Sequence, residues 1–258
     1  MKLPWPLAGR DREAEQALRA GRALVRQAQR VVALTGAGIS TPSGIPDFRS
    51  SASGLWELAD PMEVASIWSF RRRPEAFFDW VRPLAETILT AKPNPAHTAL
   101  ARAEQLGYLK AILTQNIDDL HHRAGSRRVL ELHGHLREAT CMRCHAVVQA
   151  EMTLRDFIQT GRLPHCQCGG LLKPNVILFG EMLPHEILQQ AQAEAQACDL
   201  MLVAGSSLEV MPASDLPMLA KEAGARLVIV NLAPTPLDDE ADVLIRADVA
   251  KAIPSLLA

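Results

Sequence analysis

The sequence predicts an α/β fold built on a doubly wound parallel sheet, with a smaller domain formed by insertions. Short apolar runs of strand length recur along the chain and alternate with stretches of helical periodicity. This alternation is typical of a parallel sheet covered by helices on both faces. A glycine-rich turn directly follows the first apolar run. Four of the five cysteines lie within residues 138–175, a segment that does not fit the alternation.

The composition is that of a folded globular protein. The chain has 258 residues, of which 48% are hydrophobic and 22% are charged, and this is enough for one large domain with an insert. The formal net charge of -2 argues against a nucleic-acid binder, which usually carries a clustered basic surface. The chain has neither a long apolar run of membrane-spanning length nor the apolar start of a signal peptide. We therefore expect a cytoplasmic protein that does not contact membranes.

The individual strands and helices follow from the same patterns. Residues 11–30 have apolar side chains at helical spacing and predict a helix, after which Val31-Val32-Ala33-Leu34 predicts a buried strand. Ligands of such sheets bind at the carboxyl ends of the strands. Further strands are predicted at 111–113, 129–132, 200–204, 227–230 and 243–245, and further helices near 96–107, 185–197 and 213–223.

Two stretches interrupt the alternation and divide the chain. Residues 42–92 begin with a loop rich in proline and glycine and continue helically, and residues 138–175 hold the cysteine pairs. We expect both insertions to build the smaller domain. The larger, Rossmann-like domain then comprises residues 1–41, 93–137 and 176–258.

The turn after the first strand reads Gly36-Ala37-Gly38. Glycines let the backbone approach a phosphate closely, so this turn suggests a dinucleotide pyrophosphate. The usual third glycine would fall at Thr41, which makes the dehydrogenase fingerprint incomplete and leaves a turn without ligand as an alternative. Residues 39–49 then form a loop too rich in proline and glycine for a helix, and long ordered loops in this place are typically functional.

The cysteines form two close pairs, Cys141-x-x-Cys144 and Cys166-x-Cys168. Such pairs predict a structural zinc ribbon, whose four thiolates leave no open position for catalysis. The one-residue spacer of the second pair is shorter than usual, so His145 or His165 could replace a cysteine as a ligand. The fifth cysteine, Cys198, is expected to be a buried spectator.

Several ordered motifs together resemble the sirtuin family. They cover nearly the whole chain, roughly residues 13–256, and are specific in combination. The resemblance implies a Rossmann-like domain and a small domain with one structural zinc ion, and NAD and an acyl-lysine that enter the cleft between them from opposite sides. The motifs lie at residues 36–49, 114–121, 131–134, 173–181 and 205–210.

The resemblance implies an NAD-dependent protein lysine deacetylase or deacylase, which transfers the acyl group to ADP-ribose and releases nicotinamide and O-acyl-ADP-ribose. His133 would be the general base, a role that suits an imidazole at neutral pH. By position alone, His133 could equally be a hydrogen-bonded histidine at a strand end. Asn116 would order the ribose and a reactive water. Asp118 would accept a hydrogen bond from the nicotinamide carboxamide, and its alternative is a helix N-cap.

Further contacts are carried over from the matching motifs. Phe48 would cover the sugar after nicotinamide leaves, and Val249 lies near the family's adenine contact. The acyl-lysine channel would use Ile177, Phe179, Gly180 and Glu181. The residues expected to bind NAD are Gly36, Ala37, Gly38, Ser40, Ile45, Asp47, Phe48, Arg49, Gln115, Asn116, Ile117, Asp118, Gly205, Ser206, Ser207 and Asn231.

The acyl group is predicted to be uncharged. Family members that prefer succinyl or malonyl lysine carry a Tyr-x-x-Arg pair, which binds the acidic end of the acyl chain. The equivalent helical region here reads Phe77-Phe78-Asp79-Trp80-Val81-Arg82, which supplies no phenol hydroxyl. We also expect Asp79 to repel an acidic acyl group. Acetyl and other neutral acyl groups are therefore the expected substrates.

Three other functions remain open. A mono-ADP-ribosyltransferase could use the same NAD pocket and would attach the adenylate half to protein. An NAD-dependent dehydrogenase would leave the nicotinamide bond intact, so free nicotinamide distinguishes it. A non-catalytic NAD-binding or zinc-binding module would not need His133 and Asn116. The expected partners are acylated lysine peptides of other proteins.

Overall fold

The computed structural model describes residues 7–48, 54–57 and 59–258. The helices of this part of the chain are α1 Leu7–Gln27, α2 Pro61–Val64, α3 Ile67–Arg72, α4 Pro74–Thr90, α5 Pro95–Gln105, α6 Leu120–Arg123, α7 Glu151–Thr160, α8 His185–Ala197, α9 Leu216–Glu222 and α10 Val249–Leu256. The strands are β1 Val31–Thr35, β2 Leu109–Thr114, β3 Val129–Glu131, β4 Gly134–Cys141, β5 Val147–Gln149, β6 Leu172–Val176, β7 Leu200–Ala204, β8 Arg226–Val230 and β9 Val243–Ile245. No helix among these residues is long and apolar enough to cross a membrane.

The main sheet has six parallel strands in the order β3-β2-β1-β7-β8-β9. The chain turns from one half of the sheet to the other between β1 and β7, and such a switch point opens a crevice at the carboxyl ends of the strands. The predicted parallel sheet is therefore confirmed, and all six of its strands were predicted from apolar runs.

Alternating side chains of each central strand enter two separate cores. Val31 and Ala33 of β1 pack with α5 and α10 on one face, whereas Val32 and Leu34 pack with α8 and α9 on the other. Every residue of β1 and β7 is buried. A strand with both faces covered can be apolar at every position, which is why it is read as an uninterrupted apolar run.

A small module contains α2, α3, α4 and α7 and the antiparallel sheet β5-β4-β6. Its core is aromatic: Phe78 of α4 lies 5.1 Å from Phe157 of α7, measured between ring centroids. Residues of the two insertions therefore pack in one core. Strand β4 begins at Gly134, directly after His133, so the module is joined to the main sheet through that residue.

The structure differs from the sequence-based elements in places. The helix expected over 11–30 spans Leu7–Gln27, and the helix expected near 213–223 begins with a 3-10 turn and becomes α-helical at Leu216. Strands β4, β5 and β6 and helices α6, α7 and α10 were not predicted. Strand β4 mixes apolar, polar and charged residues, and β5 exposes two of its three residues to solvent, so neither has an apolar run.

Candidate active site

A cavity of about 960 Å³ opens where β1, β2, β7 and β8 end, between the main sheet and the small module. The predicted site residues that line it are Gly36, Ala37, Gly38, Asp47, Phe48, Gln115, Asn116, Ile117, His133, Ile177, Phe179, Gly180, Glu181, Gly205, Ser206, Ser207 and Asn231, together with Val249. Ser40, Ile45 and Asp118 do not line it but are buried. Arg49 lies outside the described residues.

Two glycine turns meet at the centre of the cavity wall. The Gly38 amide donates a hydrogen bond of 2.8 Å to the Gly205 carbonyl. A Cβ atom on Gly36 would lie 2.9 Å from that same carbonyl oxygen. Gly205 has a φ of +63°, and a Cβ there would lie 2.3 Å from the Ile39 nitrogen. Only glycine permits this approach, which leaves backbone and small side chains facing the cavity.

The loop after the first turn is built of short 3-10 turns, Ala37–Ile39 and Thr41–Ser43. This agrees with the expectation that it is not an α-helix. Phe48 stacks on Trp56 with 5.1 Å between the ring centroids, and Trp56 in turn stacks on Trp80 of α4 at 5.2 Å. The loop is therefore attached to the small module through three aromatic rings that all line the cavity.

His133 lies between β3 and β4 at the edge of the cavity. Its Nδ1 atom is 3.0 Å from the carbonyl oxygen of Gln115. A carbonyl oxygen can only accept, so Nδ1 carries the proton and the basic lone pair of the neutral ring is on Nε2. The His133 carbonyl accepts a hydrogen bond of 2.9 Å from the Ile177 amide. The imidazole is thus oriented by the end of β2. The backbone is held by residues 177–181, which are expected to bind the acyl-lysine and are here called the acyl-lysine segment.

A buried chain of hydrogen bonds runs from the cavity into the protein. Asn116 Nδ2 donates to Ser40 Oγ at 3.1 Å, and Ser40 Oγ donates to Asp118 Oδ2 at 2.6 Å. Asp118 Oδ1 accepts from the Leu120 amide at 2.9 Å. Burial raises the pKa of Asp118, and the hydrogen bond from Ser40 opposes this rise. One carboxylate oxygen of Asp118 therefore accepts a hydrogen bond from the start of α6, and the other accepts one from Ser40, which in turn holds Asn116.

On the opposite side of the glycine turns, small polar side chains follow β7 and β8. Gln115 Nε2 donates to Ser206 Oγ at 2.9 Å, which joins the end of β2 to the end of β7. Asn231 is buried at the end of β8, and its Nδ2 donates to the Ala233 carbonyl at 2.8 Å. Hydroxyl and amide groups of this kind suit the hydroxyls and phosphates of a dinucleotide.

The acyl-lysine segment continues from β6. Phe179 pairs with the α2–α3 junction as in a parallel strand: its amide donates to Ala65 at 2.9 Å and its carbonyl accepts from Ile67 at 3.0 Å. Glu181 accepts from the Leu178 amide at 2.8 Å and forms an ion pair of 2.9 Å with Lys173. The segment is thus fixed by the small module, and its remaining edge faces the cavity.

The part of the cavity next to this segment is apolar. Helix α4 supplies Phe77, Trp80, Val81 and Leu84. The expectation that Asp79 would repel an acidic acyl group is wrong. The Asp79 side chain is exposed and does not line the cavity. No lysine or arginine lines the cavity among the described residues.

Some lining residues were not found by sequence reasoning. Trp56, Leu84, Val210 and Met211 belong to this set. Trp56 and Leu84 lie in the helical insertion, where an aromatic or aliphatic side chain is as typical of a core as of a ligand channel. Only the fold shows which side of α4 faces the cavity.

The four cysteines of the small module come together. Their Sγ atoms all lie within 4.8 Å of one another. The Cys141–Cys168 and Cys144–Cys166 sulfur distances are 3.5 and 3.8 Å. Gly170 packs closely against the cluster, since a Cβ there would lie 2.6 Å from Cys141 Sγ. The expected alternative ligands His145 and His165 are not part of this cluster.

Comparison with known proteins gives one consistent family. Residues 36–212 match the sequence profile of the Sir2 family. The chain is 45% identical over 245 residues to the NAD-dependent protein deacylase 2 of Archaeoglobus fulgidus. The aligned residues cover 94% of this chain and 96% of the relative.

Solved structures give the same result. A Sir2 enzyme with 45% identity superposes with a TM-score of 0.89 and covers 94% of this chain and 97% of its own. A second Sir2 protein, in complex with a deacetylated p53 peptide and 3'-O-acetyl ADP-ribose, is 40% identical, covers 93% of this chain and 97% of its own, and has a TM-score of 0.88.

Replacing Gly205 by alanine should weaken NAD binding by at least about tenfold, because the added carbon would force the two glycine turns apart. Isothermal titration calorimetry with NAD measures the effect. Gly224→Ala is the matched control: Gly224 also has a positive φ, of +98°, but has open space around its Cβ position. Gly224→Ala should lose about 1–2 kcal/mol of stability from left-handed strain, and Gly205→Ala should lose more because its added carbon also meets the backbone of Ile39. Equal NAD affinities of the two variants would contradict the role given to Gly205.

Proposed function

The chain belongs to the Sir2 family, and on that premise we propose the substrates and the residues of its reaction. It is an NAD-dependent protein lysine deacylase. NAD is consumed as a co-substrate: its nicotinamide leaves and its ADP-ribose accepts the acyl group. The acyl-lysine comes from peptides of other proteins, as the peptide complex of the relative supports. We further propose that the protein works in the cytoplasm.

The position of His133 is the observation that carries the mechanism. The imidazole lies between the glycine turns of the main sheet and the segment around Phe179. Its Nδ1–H is held by the Gln115 carbonyl, so Nε2 is the atom that takes a proton. We propose that the acyl oxygen of the lysine amide first displaces nicotinamide from the ribose carbon. His133 then takes the proton of a ribose hydroxyl, which attacks the former acyl carbon, and water completes the reaction and releases free lysine and O-acyl-ADP-ribose.

The residues around His133 hold the substrates in place for that step. Asn116 faces the cavity and is oriented by Ser40, so it can order the ribose and a water molecule. Asp118 holds Ser40 from behind, and we propose that it accepts a hydrogen bond from the carboxamide of nicotinamide when the pocket is filled. Phe48 and Trp56 close the cavity on the loop side and exclude water.

The decisive experiment is an incubation of the protein with NAD and an acetylated peptide, analysed by mass spectrometry. We expect equimolar nicotinamide and O-acetyl-ADP-ribose. His133→Ala should lower the rate by about a hundredfold or more, the usual contribution of a general base. His185→Ala, at an exposed histidine at the start of α8, serves as the control and should retain activity. A peptide that gains ADP-ribose without losing its acetyl group would instead favour the mono-ADP-ribosyltransferase.

The apolar lining next to α4 supports a preference for uncharged acyl groups. A succinyl group would place a carboxylate beside Trp80 and Leu84, where the described cavity offers no cation. Burying an unpaired carboxylate costs several kcal/mol. We expect kcat/KM for a succinyl peptide to be at least about tenfold below that for the acetyl form of the same peptide. Faster removal of succinyl than of acetyl would contradict the preference.

We propose that the four cysteines hold one structural zinc ion. A tetrahedral site with zinc–sulfur bonds of about 2.3 Å places the sulfurs about 3.8 Å apart, close to the spacing observed. The Cys141 sulfur also accepts from the amides of Arg143 and Cys144 at 3.4 and 3.5 Å, as a thiolate ligand would. The ion would hold β4 and β6 together and take no part in the chemistry.

Elemental analysis of the purified protein should find one zinc ion per chain. Cys168→Ser should lose the ion and lower the melting temperature, because the small module has few buried apolar residues around the cluster. Cys198→Ser, at the buried cysteine outside the cluster, should keep a full complement of zinc. Full zinc occupancy in Cys168→Ser would refute the four-cysteine site.

A further inference from the structure

A network of charged side chains outside the cavity connects two segments of the active site. Arg137, in β4, donates to both carboxylate oxygens of Glu131 at 2.7 and 2.6 Å and also donates to Asp119 Oδ1. Glu131 precedes His133 by two residues, and Asp119 directly follows Asp118. None of these three residues, here called the Arg137 network, lines the cavity.

The backbone at Asp119 requires such support. Asp119 has a φ of +65°, a left-handed conformation that side-chain-bearing residues rarely adopt. Strain of this kind persists only where neighbouring contacts hold the residue in place, and it concentrates at functional sites. The α6 cap does not supply these contacts, because the Asp119 side chain does not cap the helix. The guanidinium of Arg137 and the ring of His122, 3.1 Å from Asp119 Oδ1, supply them instead.

The network is half-buried, which makes it stronger than an ordinary surface pair. The side chains of Glu131, Asp119 and Arg137 are 12%, 25% and 38% exposed. Bidentate arginine–carboxylate pairs have a defined geometry as well as a favourable energy. Burial raises the pKa of Asp119, but the hydrogen bond from His122 and the charge of Arg137 outweigh this and lower it. Asp119 is therefore held in its charged form.

A metal ion is the other cation that could occupy this place. The ligand atoms of Asp119, His122 and Glu131 lie within 4.8 Å of one another, a spacing that suits a divalent ion. However, Arg137 already donates three hydrogen bonds to the two carboxylates. A metal would have to displace them all, so a fixed side-chain cation fits the network better.

We propose that Arg137 is a positioning residue: it holds the Asn116–Asp119 loop against the segment that carries His133 by pairing with Asp119 and Glu131. This inference rests on the proposed function. The loop faces the NAD side of the cavity, whereas the acyl-lysine segment is held independently by Ala65, Ile67 and Lys173. Loss of Arg137 therefore affects NAD binding more than peptide binding.

The test is Arg137→Met, which keeps the length of the side chain and removes its charge and donors. We expect KM for NAD to rise by about tenfold, and KM for the peptide to stay within about twofold. Calorimetry should show the same loss of NAD affinity independently of turnover. Hydrogen exchange of the amides of residues 115–121 should become faster than in the wild type, while the exchange of β7 and β8 stays unchanged.

Rescue separates positioning from a general loss of structure. Glycine adopts the left-handed conformation freely, so Asp119→Gly combined with Arg137→Met should recover most of the NAD affinity. Asp119→Ala in the same background should not recover it, because alanine keeps the strain and lacks the carboxylate. Arg155→Met is the control, since Arg155 pairs with Glu151 on the exposed surface of α7 and should leave both KM values unchanged.

Two outcomes would overturn the inference. One is an Arg137→Met protein with unchanged NAD affinity and unchanged exchange of residues 115–121. The other is equal NAD affinity of Asp119→Gly and Asp119→Ala in that background, which would show that the left-handed backbone at residue 119 does not affect the site. Failure of the proposed function is a distinct result: wild-type protein would then release no nicotinamide, while calorimetry and hydrogen exchange would still report on Arg137.

Discussion

The contact between two backbone turns at the centre of the main sheet determines the rest of the site. Gly38 and Gly205 lie so close that the amide of one bonds the carbonyl of the other at 2.8 Å. Since no side chain fits between them, β1 and β7 end in a smooth wall, which a dinucleotide can approach closely. Gln115 on the next strand bonds Ser206 and also orients His133, so the imidazole is positioned relative to that wall.

The two insertions form the other side of the cavity. Their strands β4 and β6 continue directly into residues that line it. Strand β4 starts directly after His133 and ends at Cys141, and β6 runs from the same cysteine cluster to Val176, next to the acyl-lysine segment. A zinc ion bound by the cysteines would thus stabilise the two strands whose other ends carry the proposed general base and the proposed peptide channel. Through these strands, the ion would support the site without touching a substrate.

The sheet and the glycine turn could be predicted from the sequence because their signals are local. Val31 to Leu34 are apolar without interruption and are followed at once by Gly36. The short spacer between Cys166 and Cys168 left His145 and His165 open as ligands, because the sequence does not show which of these side chains come together when the two cysteine pairs meet. Asp79 is exposed because of how α4 is rotated about its axis. Its place in the sequence beside Trp80, which lines the cavity, does not reveal that rotation. Nothing in the sequence marked Arg137 as a functional residue, because arginine is common in strands of mixed polarity. Its pairing with Asp119 and Glu131 is visible only in the folded structure.

The charges that line the cavity bear on both proposed substrates, NAD and the acyl-lysine. Among the described residues, the charged side chains that line it are Asp47, Glu181, Glu209 and Asp248, with no lysine or arginine. We therefore propose that backbone amides and hydroxyls of the described residues bind the phosphates of NAD, and Arg49 remains the cation that the family resemblance implies. Neutral donors recognise phosphate by geometry, which is why the glycine turns have to be so close. The same lack of cations among the described residues would leave a carboxylate at the end of an acyl chain without a partner, which supports the proposed preference for a neutral acyl group.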